Sequence, residues 1–321
     1  MFVRLAAASV ALASPAAAVP LSDLFSSYYV LGDSLSDDGN VFEATGGGTP
    51  QSPPYFQGRF SDGPVFTDYL AEGFAQTENL AYGGAEAVED DDAIPDLPTQ
   101  LALLSQVDPA GFGDAGLATL LFGGNDAFGA VGSDEEEVVS AIEAADAVVE
   151  GARTVFGLGI ETVAVLTLPR LDTTPLYALF QPDGVEEAIL FEEAFNARLG
   201  EGLAALGAEG LDVREIDSQA FFAALDADPA AFGISETTLP CLFPSEEAAA
   251  AFGQPVLCDL ETEAPQRVFF DSVHPSGTVH AAFADYVEAQ LQPAPIPLPA
   301  SGLLLLAGAG GLASLRRRRR R

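Results

Sequence analysis

The chain has 321 residues, of which 48% are apolar, and its 48 acidic residues outnumber its 13 basic ones to leave a formal net charge of −35. This length and apolar content exclude a disordered chain and allow one large domain or two modest ones. The charge argues against binding to nucleic acid or anionic membranes. Adaptation to salty surroundings, where repulsion is screened, explains it better than an acidic binding function does.

Residues 1–18 have the pattern of a secretory signal peptide. One arginine is followed by an apolar run and then by small residues that end at Ala18, as in a cleaved leader. A buried N-terminal helix is the alternative, and Pro15 argues against it. Export implies an oxidising compartment, in which Cys241 and Cys258 are expected to form a disulfide rather than remain free buried thiols.

Between residues 19 and 292, short apolar runs alternate with longer amphipathic stretches. Several of these runs are near-continuous, which is typical of strands buried on both faces of a sheet. The predicted strands are Tyr28–Leu31, Glu78–Ala81, Leu117–Phe122, Thr162–Leu168 and Leu211–Ile216. The alternation predicts an α/β fold with an open, mostly parallel sheet and helices on both faces. In such sheets the functional groups gather at the carboxyl ends of the strands.

Two of the intervening stretches, Glu135–Val155 and Glu186–Leu206, have apolar residues at helical spacing. These apolar positions are Val138, Val139, Ile142, Val148, Val149 and Val155 in the first stretch and Ile189, Leu190, Phe195 and Leu199 in the second. The Gly-, Pro- and aromatic-rich residues 42–70 are expected to form a long ordered loop near the site. The acidic residues 88–98 are expected to form a solvated loop rather than a calcium site.

The first three predicted strands each end in small or polar residues that could serve a functional site. Ser34 follows the first strand in "GDSLSDDGN", where a helix N-terminus behind it would stabilise negative charge; ordinary N-capping is the alternative. Gly83 and Gly84 follow the second strand and would either let backbone N–H groups approach a ligand or form a simple turn. Asn125 follows the third strand and could donate a hydrogen bond to an oxyanion, or adopt left-handed loop geometry.

Both histidines of the chain lie in its last segment, "DSVHPSGTVHAAF". His280 falls in a predicted terminal helix and is expected to be structural. His274 lies in a loop shortly after Asp271, close enough for the carboxylate to fix the tautomer and orientation of the imidazole. An imidazole held in this way can remove a proton from a serine. Asp271 and His274 are therefore candidate partners of Ser34.

Together these segments resemble the GDSL, or SGNH, hydrolase family. The blocks "GDSLSDDGN", "NLAYGGA", "GGND" and "DSVHPSG" occur in that family's order. The segment "SPPYFQGRFSDGPVFTDYLA" and the cysteine-containing region are similar to the bacterial lipase/esterase, lecithinase-like branch. The similarity covers about Tyr28–Leu291 and implies a three-layer α/β/α sandwich with a mostly parallel central sheet.

The resemblance also implies a role for individual residues. Ser34 matches the family's nucleophile, His274 its general base, and Asp271 the acid that orients the base. The oxyanion hole would consist of Gly84, Asn125 and the backbone N–H of Ser34 itself. No catalytic position departs from the family pattern.

These roles predict an exported serine esterase or lipase that cleaves carboxylic esters through a Ser-His-Asp triad and an acyl-enzyme. A phospholipase and a carbohydrate O-acetyl esterase would use the same machinery, and an inert surface or matrix protein is the alternative from another class. The sequence has no metal-binding cluster or phosphate-cradling motif, so no cofactor is expected. Asp33 is expected to hold the serine turn by accepting N–H bonds, and Asp37 and Asp38 to complement a helix dipole.

Residues 293–321 form a proline-rich spacer, a short apolar run over 302–315 and a terminus of six arginines. This tail resembles the PEP-CTERM and VPLPA-CTERM sorting signals, with "PLPA" as its motif. The resemblance implies processing near Pro297–Ser301 by an exosortase-type membrane protease. A plain C-terminal membrane anchor is the alternative. The expected location is periplasmic, cell-surface or extracellular.

Overall fold

The computed structural model describes residues 19–90, 92–132 and 137–293. The chain divides at Leu291 into a unit of residues Met1–Leu291 and a unit of Gln292–Arg321. The predicted signal peptide and all but the start of the predicted tail therefore lie outside the described residues. None of the helices in the described ranges combines the length and the apolarity that a membrane crossing requires.

Five parallel strands form one sheet in the order β2–β1–β3–β4–β5. Each begins and ends within two residues of its predicted position. The strands are β1 (Ser27–Gly32), β2 (Thr77–Asn79), β3 (Gly116–Leu121), β4 (Thr162–Leu166) and β5 (Asp212–Ile216). The chain moves outward from β1 to β2 and then returns to the other side of β1 with β3. A crevice therefore opens outside the carboxyl ends of β1 and β3, where ligands bind in open parallel sheets.

Helices cover both faces of this sheet. The described α-helices are α1 (Leu21–Leu24), α2 (Asn40–Ala44), α3 (Phe66–Leu70), α4 (Leu97–Leu104), α5 (Gly124–Ala130), α6 (Glu137–Leu158), α7 (Val185–Ala208), α8 (Ser218–Ala227), α9 (Glu246–Ala251) and α10 (Gly277–Leu291). Short 3-10 turns occur at Pro109–Gly111, Pro182–Gly184, Pro229–Phe232 and Ala264–Gln266, and a π-helical turn at Leu176–Phe180.

The core consists of two apolar layers, one on each face of the sheet. Alternate residues of β1 divide between them: Tyr29 and Leu31 pack with α4, α6 and α7, whereas Tyr28 and Val30 pack with α3, α8 and α10. Burying each large apolar side chain stabilises the fold by roughly 1.5–3 kcal/mol. The predicted α/β/α sandwich with a parallel central sheet is confirmed.

The buried face of α6 differs from the predicted one. Val138, Val139 and Ile142 are exposed, and the buried stripe instead contains Ala141, Ala144, Ala145, Val148, Gly151, Ala152 and Val155. The reason is the close approach of α7: a Cβ placed on Gly202 of that helix would lie 2.4 Å from Val149. Helices this close pack through small side chains, so apolarity alone does not identify the buried face. On α7, Phe195 and Leu199 are buried as predicted, but Leu190 is exposed.

Candidate active site

Ser34 lies in a tight turn directly after β1, where the chain leaves the carboxyl edge of the sheet. The Ser36 N–H donates to the Asp33 carbonyl at 3.0 Å, and the Leu35 N–H donates to the Asp33 carboxylate at 3.0 Å. Asp33 therefore closes the turn with a backbone and a side-chain oxygen, as the sequence predicts. The turn leaves the half-buried Ser34 lining a cleft at this edge.

The helix that we expect directly behind Ser34 begins later, at Asn40, so that expectation is wrong. The chain between them is held by Asp37, whose carboxylate accepts N–H bonds from Gly39 at 2.7 Å and from Asn40 at 2.6 Å. The same carboxylate accepts the N–H of Gly83 at 2.8 Å. Asp37 thus joins the segment after β1 to the loop after β2, and no helix dipole acts directly on Ser34.

Of the two predicted oxyanion donors, Asn125 is hydrogen-bonded to the loop that contains the other, Gly84. Asn125 Nδ2 donates to the carbonyl of Ala85 at 2.8 Å, which uses one of its two N–H groups. Gly84 has φ of 93°, and a Cβ there would lie 2.5 Å from Ile94 Cδ1, so glycine is required. Within the described ranges, the backbone N–H groups of Gly84 and Ser34 have no hydrogen-bond partner.

Ser34, His274 and Asp271 form one chain of hydrogen bonds. His274 Nε2 lies 2.8 Å from Ser34 Oγ, and His274 Nδ1 lies 2.7 Å from Asp271 Oδ2. Asp271 Oδ1 accepts the backbone N–H groups of Val273 at 2.9 Å and of His274 at 2.8 Å. Because an ionised carboxylate can only accept, Nδ1 carries the proton and Nε2 accepts from the serine hydroxyl.

The charges of Asp271 and His274 stabilise each other. Burial alone would raise the pKa of Asp271, but the nearby imidazole charge and its hydrogen bonds lower it below the usual value. Burial alone would lower the pKa of His274, but the charge and hydrogen bond of Asp271 raise it above the usual value. Asp33 is fully buried beside this pair, and burial raises its pKa to about 7. The imidazole is therefore a stronger base than an ordinary histidine.

A serine hydroxyl bonded to an oriented imidazole, next to unpaired N–H donors, is suited to acyl transfer. Residues 28–287 match the family of GDSL-like lipases and acylhydrolases. The chain belongs to this family. The protein is accordingly an ester hydrolase, as the sequence predicts.

The chain is similar to two bacterial proteins. Phosphatidylcholine-sterol acyltransferase of Aeromonas hydrophila is 29% identical over 84% of this chain and 92% of its own length. Thermolabile hemolysin of Vibrio parahaemolyticus is 26% identical over 82% of this chain, which spans only 63% of the hemolysin. Among solved structures, a catalytic mutant of an acetylxylan esterase from Geobacillus stearothermophilus aligns at 13% identity with a TM-score of 0.45, covering 83% of this chain and 93% of its own.

The cleft at Ser34 is open to solvent and has largely apolar walls. One wall is the segment after β4, which contains Leu168 and Leu171. Helix α7 holds this wall in place: Asn196 bonds both the N–H and the carbonyl of Leu168, at 2.9 and 3.0 Å, and Glu192 accepts the Leu171 N–H at 2.8 Å. Apolar walls near a polar reaction centre suit an ester with a hydrocarbon part.

Two aromatic residues that the sequence analysis does not single out contact the Asp271–His274 pair. The Tyr55 hydroxyl donates to Asp271 Oδ2 at 2.6 Å, the oxygen that also accepts from the imidazole. The Phe60 ring lies 5.3 Å from the His274 ring, and a Cβ on Gly83 would lie 2.1 Å from it. Their loop is expected near the site from its composition, but no local pattern indicates which ring reaches a residue 216 positions away.

The loop with Asp271 and His274 is closed by its own backbone. The Phe270 N–H donates to the His274 carbonyl at 2.8 Å, which places both side chains on one short loop. Cys241 and Cys258 form a disulfide. The segment that contains Cys241 runs beside this loop. The backbone N–H of Cys241 donates to the Phe269 carbonyl at 3.2 Å. The crosslinked segment therefore supports the residues that precede Asp271.

The acidic loop before α4 brings Asp90, Asp92 and Asp96 together, with carboxylate oxygens within 4.8 Å of one another. Each carboxylate accepts backbone N–H groups of the same region: Asp90 from Asp92, Asp92 from Ile94, and Asp96 from both Glu86 and Asp90. These bonds account for the grouping. They shape the loop that places Ile94 against Gly84.

Proposed function

We propose that the protein is an exported serine hydrolase that cleaves carboxylic esters through an acyl-enzyme. In the first step Ser34 Oγ bonds to the ester carbonyl carbon while its proton passes to His274 Nε2. The imidazolium then gives that proton to the leaving alkoxide, and the acyl group stays on Ser34. Water, deprotonated by His274, attacks the acyl carbon and releases the acid, and Ser34 regains its proton.

In this mechanism the negative charge of the tetrahedral intermediate is held by three donors. They are the backbone N–H groups of Ser34 and Gly84 and the second amide N–H of Asn125. Each is left unpaired in the described structure, so no bond must be broken before it binds the oxyanion. Asp271 keeps the imidazole in the tautomer that accepts the serine proton and stabilises the imidazolium that forms.

The observation that carries the proposal is the unbroken chain of bonds from Ser34 Oγ through His274 to Asp271, at 2.8 and 2.7 Å. An inert surface or matrix protein has no need of this geometry. The raised pKa of His274 makes it a stronger base than an ordinary histidine, which suits a residue that must accept a proton near neutral pH.

Phospholipid acyl esters are a second candidate substrate class. The phosphatidylcholine-sterol acyltransferase relative matches over most of both chains, and its name denotes transfer of an acyl group between lipids. A net charge of −35 weighs against anionic lipid surfaces but not against zwitterionic ones. Carbohydrate O-acetyl esters would use the same reacting groups.

The test is hydrolysis of p-nitrophenyl esters from acetate to palmitate by wild type and by Ser34→Ala, at low and high salt. The proposal predicts turnover in wild type, its loss in the folded variant, and labelling of Ser34 by diisopropyl fluorophosphate. A folded wild-type protein that neither turns over any ester nor reacts with the fluorophosphate would overturn the proposal. Vesicles of phosphatidylcholine, assayed for released fatty acid, test the lipid alternative.

Export and processing are part of the same proposal and are supported by the two terminal sequence patterns. We expect cleavage after Ala18, and removal of the arginine terminus by an exosortase-type protease acting near Pro297–Ser301. Mass spectrometry of the mature protein from its own cells measures both ends. An intact arginine terminus would contradict the sorting signal and favour a membrane anchor.

A further inference from the structure

The segment that follows β4 is a thin wall between two spaces that are both open to solvent. Residues 168–172, which we call the β4 wall, have no helix or strand of their own. One space is the apolar cleft at Ser34, and the other is a polar hollow that shares no lining residue with it. The wall contributes to both: Leu168, Pro169 and Leu171 line the cleft, and Arg170 and Asp172 line the hollow. The position of the β4 wall therefore sets the width of the cleft.

Two side chains of α7 bind the backbone of the β4 wall, and both also line the hollow. Asn196 Oδ1 accepts the N–H of Leu168 at 2.9 Å, and Asn196 Nδ2 donates to the carbonyl of Leu168 at 3.0 Å. Glu192 Oε2 accepts the N–H of Leu171 at 2.8 Å. The two residues lie one turn apart on the same face of α7. Apolar packing of the leucines is not directional, whereas these bonds fix where the backbone of the wall lies.

Glu192 makes these bonds although it is a buried carboxylate. Its exposure is 4%, and burial raises its pKa to about 7, while the bond from Leu171 opposes that rise. Its other oxygen, Oε1, accepts from the side-chain amide of Gln219 on α8. Burying a carboxylate is costly unless its oxygens are bonded. The bonds of Glu192 join α7, α8 and the β4 wall, and no step of the proposed reaction uses them.

The cleft lined by the β4 wall holds the part of the ester that stays on the enzyme. Ser34, to which the acyl group is bonded in the proposed acyl-enzyme, lines the same cleft. The alcohol leaves after it takes a proton from His274. A hydrocarbon chain on the acyl carbon loses unfavourable contact with water when it lies along an apolar wall, and an acetyl group has no such chain.

We propose that Glu192 and Asn196 are positioning residues that set which acyl chains the cleft accepts, because they fix where Leu168 and Leu171 lie relative to Ser34. Neither residue touches the reacting atoms. The substrates are then esters of aliphatic acids with a chain long enough to lie along the β4 wall, rather than acetates. This inference rests on the proposed esterase function and adds the class of acid to it.

The test measures kcat and KM for p-nitrophenyl acetate, butyrate, hexanoate and octanoate. The variants are Glu192→Ala and Asn196→Ala, which remove the bonds to the wall. Glu192→Gln is the conservative variant: its amide oxygen can accept from Leu171, and its amide nitrogen can donate to Gln219 once that amide has turned over. The matched control is Glu193→Ala, because Glu193 is the next residue of α7, is exposed and lines the same hollow. Circular dichroism confirms that each variant is folded.

We expect wild type to have a higher kcat/KM for octanoate than for acetate. Glu192→Ala should lower this ratio by about tenfold, the ordinary effect of one hydrogen bond, mainly through a higher KM for octanoate. Asn196→Ala should lower it in the same way. Turnover of acetate should not change in either variant, and Glu192→Gln and Glu193→Ala should keep the wild-type ratio.

A merely structural role of these side chains would lower the turnover of acetate and octanoate alike, and that result would overturn the inference. An unchanged ratio in folded Glu192→Ala and Asn196→Ala, or a wild type that prefers acetate, would also overturn it. If Glu192→Ala does not fold, Glu192→Asp gives the same comparison, since it keeps the charge but draws the acceptor back from Leu171. Failure of wild type to hydrolyse any ester, with Ser34 unreactive toward the fluorophosphate, would instead overturn the esterase function.

Discussion

His274 and His280 lie in neighbouring regions of the chain: the first is a half-buried residue in a loop at the cleft, and the second is a buried residue on α10. His274 is bonded to a carboxylate and a serine hydroxyl, and its pKa is raised. His280 accepts one backbone N–H, faces aromatic rings, and has a pKa lowered to about 3 by burial. Burial alone disfavours the charged form of both rings.

What separates the two regions is Asp271. One carboxylate, placed on the Nδ1 side, converts a buried ring that resists protonation into one that can hold a proton during the reaction. His280 has no such partner among the described residues, so it stays neutral and can only donate or accept hydrogen bonds. The comparison shows that the neighbour of an imidazole decides its chemistry more than its depth does.

The sharpest test of the comparison exchanges each ring for asparagine. His274→Asn should lower p-nitrophenyl acetate turnover by about 10⁴-fold or more, because no group remains to take the Ser34 proton. His280→Asn should leave that turnover within about twofold of wild type, since it is not in contact with the reacting atoms. Equal losses in the two folded variants would show that the two rings do not differ in the way proposed.

Asp271→Asn should give His274 surroundings closer to those of His280. We expect turnover to fall by about 10³–10⁴-fold, because an amide can hold the imidazole in the wrong tautomer and no longer stabilises the imidazolium. The pKa of His274, followed by NMR, should fall below its wild-type value. An unchanged pKa of His274 in this variant would show that Asp271 is not the cause of the difference between the two histidines.

Asn125→Ala removes a donor that contacts neither histidine. Turnover should fall by about 10²–10³-fold through loss of oxyanion stabilisation, while the pH dependence of kcat/KM stays as in wild type. This result would separate charge stabilisation on the carbonyl oxygen from base strength at the imidazole. Unchanged turnover in the folded variant would exclude Asn125 from the oxyanion hole.

Tyr55→Phe removes the second donor to Asp271 Oδ2. The interaction of that carboxylate with the His274 imidazole should then become stronger. Activity requires neutral His274, so it is lost as pH falls through the pKa of that residue. We expect the acid side of the pH–activity profile to move up by roughly half a pH unit. Turnover at the plateau of the profile should fall less than about tenfold. Tyr29→Phe, which removes a hydroxyl bonded to the Gly111 carbonyl, is the control and should not move this side of the profile.

The smallest effect concerns stability and His280. Its pKa in the folded state lies below that of an unfolded histidine, so its contribution is present above about pH 6.5 and is lost as pH falls, by about 1.4 kcal/mol per unit. Relative to wild type, His280→Asn should therefore gain about 2 kcal/mol between pH 7.5 and pH 5. Urea unfolding at both pH values measures this, and parallel changes in the two proteins would contradict it.

Much of the site is predictable from sequence because it depends on strand ends. Several buried strands appear as near-continuous apolar runs, so the strand ends near Ser34, Gly84 and Asn125 can be located along the chain. The choice of these residues and their roles follow from the resemblance to the hydrolase family. The pairing of Asp271 with His274 is local and is also visible in the sequence. The α/β alternation predicts the sheet, and the pattern is strongest for β1, β3 and β4, which are buried on both faces. The edge strands β2 and β5 are partly exposed and carry polar residues.

The parts that sequence does not predict depend on distant contacts. The buried face of α6 is set by the small residues of α7, not by the most apolar side of α6 itself. Tyr55 reaches Asp271 across a loop whose path has no periodic pattern. The turn at Ser34 is closed by Asp33, whereas Asp37 accepts the N–H groups at the start of α2, which begins only at Asn40.

The Asp37 carboxylate has a practical consequence for engineering. It accepts backbone N–H groups from Gly39, Asn40 and Val41 on one side and from Gly83 on the other. Asn40 and Asn79 add side-chain bonds between the same two segments. The spacing between the nucleophile turn and the oxyanion loop is therefore held by these side chains as well as by the chain that connects them. The exposed residues 45–49 of that connection, held mainly by their own Thr45 hydroxyl, are accordingly a place to graft or lengthen loops without disturbing the reacting groups.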